Sequence, residues 1–138
     1  MKKLLIIIGI FGACAVVLGA FGAHALVPKL SAASLASYKT GVLYHFIHVL
    51  AAMAAMILYI NTHQRLFKTS AILFLVGIIF FSGSIYLLAT RELTNLTVGW
   101  LGPVTPIGGV IFILAWLVSA LAASKIEILS RSDKNTNN

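Results

Sequence analysis

The chain has 138 residues, 60% of them hydrophobic and only 9% charged, with a formal net charge of +7. So few charges cannot coat a soluble globule, whereas lipid supplies the apolar surroundings this composition needs. The basic residues are scattered among the gaps between apolar runs rather than gathered into one patch, which argues against a nucleic-acid partner and fits topology signals and headgroup contacts.

Four apolar stretches, 4–25, 40–60, 69–89 and 106–124, hold no Asp, Glu, Lys or Arg. Each approaches the ~20 residues, at ~1.5 Å of rise apiece, that a helix needs to cross a bilayer. A charge at the centre of such a helix would cost ~2.5–3.5 kcal/mol, so the absence is informative. The expected fold class is all-α: a four-transmembrane-helix bundle over 1–125, with a polar tail over 126–138.

The first stretch follows Lys2-Lys3 and ends in Ala23-His24-Ala25, which imitates a signal-peptide cleavage site. Its apolar run exceeds the ~7–15 residues of a signal core, so it reads as a retained helix. Cys14 is the lone cysteine, so neither an intramolecular disulfide nor a cysteine-based zinc site is available, and it reads as a small packing residue. Gly12, Ala15, Gly19, Gly22 and Ala23 form a small-residue stripe that lets a neighbouring helix approach closely.

Residues 27–38 are too many for a minimal turn. Pro28 suits a first helical turn, and Leu30, Ala33 and Leu35 add apolar character, so a short interfacial helix is expected between the first two spans. On the second span Tyr38, Gly41, His45, His48, Ala52, Ala55 and Tyr59 share one face, expected to point inward. The brief connection 61–68 makes the second and third spans antiparallel neighbours.

The third span carries Gly77 and Ser82-Gly83-Ser84, and Gly99, Gly102 and Pro103 surround Trp100 in the loop that follows. Thr105-Pro106 opens the fourth span with an N-cap and a proline in the first turn, followed by Gly108-Gly109. Residues 130–138 are polar without an apolar anchor and read as disordered. Lys2, Lys3, Arg65, Lys68, Lys125, Arg131 and Lys134 fall on one side and only Lys29, Lys39 and Arg91 on the other. Both termini are therefore expected in the cytoplasm.

The polar residues of the spans gather toward one leaflet. His24, Tyr44, His48, Ser82, Ser84 and Thr105 come from all four helices and are expected to line a tight, outward-opening polar cavity. Gly19, Gly22, Gly41, Gly83, Gly108 and Gly109 are the expected helix-packing positions.

At these residues the chain resembles a known family. Leu18-Gly19-Ala20-Phe21-Gly22-Ala23-His24, Thr40-Gly41 with Tyr44 and His48, Phe81 through Ala89, and Thr105-Pro106-Ile107-Gly108-Gly109 with Trp116 are similar to the four signatures of the domain-of-unknown-function family 423. Those are the YgdD/YwdK proteins of bacterial inner membranes, with a eukaryotic branch called transmembrane protein 256. The resemblance implies a four-helix plasma-membrane protein without an assigned reaction. It covers His24 and His48, while His45 departs from the pattern.

Three functional classes follow. A non-enzymatic structural or accessory protein would use the polar cluster as a hydrogen-bond network and would need no cofactor. Its partners would be the lipid bilayer and a second copy or another membrane protein. A ligand-binding protein would hold a lipid, a quinone, or a metal or haem on His24, His45 and His48, imidazole being a common ligand. Against the metal, no acid lies within the spans to orient a histidine, and that same lack leaves no nucleophile–base arrangement. A small pH-sensitive transporter or channel is the third class, although no charged residue crosses the inner half. The first is the reading adopted from sequence.

Overall fold

The computed structural model describes residues 1–94 and 97–136, with side chains through Ile126. The described residues are all helix and turn. The order is α1 (Lys2–His24), α2 (Ala32–Thr62), α3 (Arg65–Ile78), a π-helical turn (Ile79–Gly83), α4 (Ser84–Ala89), α5 (Arg91–Thr94), a 3-10 turn (Gly99–Leu101) and α6 (Val104–Thr136). The segments Lys2–His24, Ala32–Thr62, Arg65–Ala89 and Gly99–Ile126 are each long and apolar enough to cross a membrane.

The separate interfacial helix expected over 27–38 does not form. Leu26 to Leu30 make a turn, with the amides of Lys29 and Leu30 both donating to the Leu26 carbonyl at 3.0 Å. Ser31, in extended conformation, then caps α2 by accepting from the Ser34 amide at 3.2 Å. The serine cap, not Pro28, sets the start, and the rest of the segment becomes the first turns of α2. Leu26 and Leu30 tuck against Tyr38 and Ala89 and anchor this end of the bundle.

The connection between α2 and α3 is tighter than its sequence suggests. His63 takes a left-handed conformation (φ 54°), its amide donating to the Tyr59 carbonyl at 2.8 Å, and Gln64 starts the next helix. Helices α2 and α3 therefore pack as antiparallel neighbours. At the other end of the chain, α6 continues helically to Thr136, into the stretch expected to be a disordered tail; residues 137–138 lie outside the described residues.

Helices α2, α3 and α6 form the central triangle, and α1 rests chiefly on α2. The core holds Val49, Ala52, Met56, Ala71, Phe74, Phe112 and Ala115, joined from α1 by Ile8. On α1 only Ile8, Ala15 and Gly22 are buried, one every seven residues, the repeat of a left-handed helix pair. Glycines let the backbones approach where lipid offers no hydrophobic drive. A Cβ on Gly22 would lie 2.6 Å from the Tyr38 ring, and one on Gly77 would lie 2.5 Å from Phe112.

The π turn interrupts the third span at its small residues. One extra residue in the turn rotates α4 relative to α3. Ser84 consequently faces α6, while Ile85 and Tyr86 pack on Gly41 of α2.

Candidate functional site

The polar side chains do not share one cavity. They fall into separate pairs at different depths, from mid-helix to the helix end, rather than into a single outer layer.

His48 is 4% exposed and both its ring nitrogens are engaged. Nδ1–H donates to the Tyr44 carbonyl at 2.7 Å, one turn back along α2. That bond fixes the tautomer, leaving Nε2 to accept from the Trp116 indole N–H at 3.4 Å. The ring lies flat on Phe112, centroids 3.5 Å apart and planes 8° from parallel. Tyr44 stacks on its near side at 5.6 Å and Phe74 tilts against it at 5.7 Å. Tyr44 contributes its ring and carbonyl here while its body faces outward, 38% exposed.

His45 is equally buried but points elsewhere. Its Nδ1 lies 3.2 Å from the Tyr86 hydroxyl, and its ring meets Phe11 edge-on at 6.0 Å. Nε2 has no hydrogen-bond partner. Three residues along a helix are enough to turn His45 toward α1 and α4 and His48 toward α3 and α6.

Ser84 and Thr105 form the third pair, their hydroxyls 2.7 Å apart. Thr105 lies inside the first turn of α6, which begins at Val104, one residue before the expected cap. Ser82 is fully buried in the π turn with its hydroxyl unpaired. His24 stands exposed at the end of α1, apart from these pairs. Among the expected packing glycines, Gly108 is the most demanding, because a Cβ there would run into the backbone of Phe81. A Cβ on Gly19 would lie 3.3 Å from Val42, whereas Gly83 and Gly109 have nothing nearer than 3.9 and 3.8 Å.

Tyr86, Phe112 and, as the partner of His48, Trp116 were not among the site residues drawn from the sequence. A signal existed for Trp116: an indole N–H inside hydrocarbon needs an acceptor, and few are available at that depth. As for metal chemistry, the described residues hold no group of three or more His, Cys, Asp or Glu placed to share an ion. Of the two buried histidines, His48 has both nitrogens in use and His45 leaves Nε2 unpaired, while His24 stands exposed and apart from both.

Comparison with known proteins puts this geometry in context. The family model described as "Protein of unknown function (DUF423)" matches residues 18–109, which covers the signatures quoted above except for Trp116. A UPF0382 membrane protein of Staphylococcus saprophyticus is 42% identical over 90% of this chain and 99% of its own. The UPF0382 membrane protein YwdK of Bacillus subtilis is 39% identical over 89% of this chain and 98% of its own. The UPF0382 inner membrane protein YgdD of Escherichia coli is 34% identical over 91% and 92%. No solved structure matches the chain.

Proposed function

The chain belongs to the DUF423 family of proteins of unknown function, and we propose that it is a non-enzymatic accessory protein of the bacterial inner membrane. In this reading both termini are cytoplasmic, as the distribution of basic residues suggests. The protein acts through its lateral faces, on a partner complex or on the bilayer itself. The observation that carries the reading is the His48 cluster: both nitrogens are satisfied and the ring is stacked. A catalytic or metal-binding histidine needs one nitrogen free, whereas a register-fixing histidine needs neither.

The lipid-facing surfaces support the same reading. Val16 and Val17 on α1, and Ile113 and Leu117 on α6, are each about three-fifths exposed and apolar. Such faces suit lipid, a second copy of the chain or another membrane helix. Transport draws less support, because Phe74 and Phe112 wall His48 in. The one acidic side chain described, Glu92, is exposed on α5.

The test uses cells lacking the gene, scored for envelope permeability to an apolar dye and complemented with wild-type protein or His48→Ala. The accessory reading expects the variant to lose thermal stability and to restore the barrier only as far as its folded amount allows. A variant of wild-type stability and abundance that restores nothing would overturn the reading, since His48 would then have a role beyond packing.

A further inference from the structure

The end of the bundle that holds the α2–α3 connection carries a polar cleft, well away from the two histidine seams. Arg65, Lys68, Thr69 and Ile72 of α3 line one side and Tyr59 of α2 the other, around a cavity of about 410 Å³. The helical repeat puts residues 65, 68, 69 and 72 on one face, so two cations, a hydroxyl and an isoleucine stand in a column. Arg65 and Lys68 are exposed, whereas Tyr59 is half-buried and packs against the core.

The charge in this cleft is unbalanced. Among the described side chains the one acid, Glu92, lies on α5, beyond the opposite end of the third span. The first turn of α3 holds no acid either. Both cations therefore stand near the positive end of the helix dipole, where a cation is disfavoured and an anion favoured. The Thr69 hydroxyl donates to the Arg65 carbonyl at 3.4 Å, which leaves Arg65, Lys68 and Tyr59 as the donors of the cleft. Three donor groups, two of them charged, suit the acceptor oxygens of a phosphate.

Depth and shape select what carries the phosphate. At ~1.5 Å per residue Ile72 lies about 10 Å below Arg65 along α3, and it is 43% exposed. The cleft therefore runs from headgroup level, where the span begins, down an apolar wall that faces hydrocarbon. A free phosphate would use the charged end alone, whereas a phospholipid uses both. Two cations one turn apart also repel a headgroup that brings its own ammonium, as choline does, and attract one that brings only negative charge. We infer that this cleft binds an anionic phospholipid. Its phosphate lies between Arg65 and Lys68, Tyr59 donates to a further oxygen, and an acyl chain descends along Ile72. The site is independent of the accessory reading and stands whether or not that reading holds.

The experiment titrates the full-length protein in detergent with phosphatidylglycerol, with phosphatidylcholine of the same acyl chains, and with inorganic phosphate. Native mass and the thermal transition are read on each sample. The expected result is saturable retention of phosphatidylglycerol, about tenfold or more tighter than phosphatidylcholine, with a raised transition. Inorganic phosphate at the same concentration should raise nothing. Arg65→Gln with Lys68→Gln should bring phosphatidylglycerol down to the phosphatidylcholine level. Lys2→Gln with Lys3→Gln removes the same charge at the same end of the bundle but outside the cleft, and should leave retention as in wild type. Thr69→Glu keeps both cations and sets a carboxylate beside them, so it should displace the lipid; it carries the test if the Arg65 and Lys68 pair does not fold. Equal retention of the two lipids, an equal loss in the Lys2 and Lys3 pair, wild-type retention in Thr69→Glu, or a transition raised as far by inorganic phosphate would each overturn the inference.

Discussion

His45 and His48 stand three residues apart on α2, each 4% exposed, yet their hydrogen bonding is opposite. His48 faces the triangle of α2, α3 and α6, where an indole, a carbonyl and three aromatic rings close around it. His45 faces the looser seam against α1, where one phenol meets it and the other nitrogen is left open. Burial alone therefore does not describe the two histidines. Completeness of hydrogen bonding sets them apart, since an unmet polar atom in a medium without water carries a cost that a satisfied one does not.

The strongest way to break the tight side of this comparison is to move α6. Gly108→Leu forces a side chain against the backbone of Phe81, which has no rotamer through which to yield. It should destabilise the protein by about 3 kcal/mol, read as a lower thermal transition in detergent. Because α6 also carries Phe112 and Trp116, the Trp fluorescence should shift in the same sample. A side chain tolerated at Gly108 would mean that α6 does not seat on the π turn.

His48→Ala comes next. It empties the stacked position on Phe112 and takes the acceptor from the Trp116 indole, for an expected loss of about 2–3 kcal/mol. His45→Phe should cost less, about 1–2 kcal/mol, because it removes the unpaired Nε2 but leaves the Tyr86 hydroxyl without its partner. Denaturant unfolding of the two variants side by side measures the contrast directly. Equal costs would erase the distinction between the two seams.

Much of this fold was legible because hydrocarbon permits so few solutions. Unbroken apolar runs between lysines and arginines mark the four spans, and the stripe containing Ala15 and Gly22 marks the face of α1 that packs. The inward set on α2 was readable from its period, and Tyr38, Gly41, His45, His48, Ala52 and Ala55 are all buried. What was not legible depends on helix rotation. The π turn arises where Phe81 must seat on Gly108, a fit between residues 27 positions apart that no local pattern encodes. That turn decides which way Ser84 and Tyr86 face, and so decides the partners of Thr105 and His45. Likewise, one face of α2 could be drawn from sequence, but not its division between two seams. The start of α2 was misread for a local reason: Ser31 and Pro28 are competing start signals, and the serine's hydrogen bond to Ser34 prevails.

The smallest expected effect probes the rim of the tight seam. Ser84 and Thr105 are 2.7 Å apart, and the Ser84 hydroxyl also reaches the Phe81 carbonyl of its own helix at 2.9 Å. The second contact lets Ser84 donate to Phe81 while accepting from Thr105, so both hydroxyl protons are placed. Interhelical bonds of this kind average ~0.6 kcal/mol, since a hydroxyl freed in the membrane soon finds another carbonyl. Ser84→Ala and Thr105→Val should therefore each cost little, with a coupling of about 0.6 kcal/mol in a double-mutant cycle. The size of that coupling sharpens the comparison. A value near zero would mean that aromatic packing alone holds α6 against the π turn. A value of 1.5 kcal/mol or more, large for such a bond, would mean that the hydroxyl pair fixes the rotation of α4, and through Tyr86 the open state of His45.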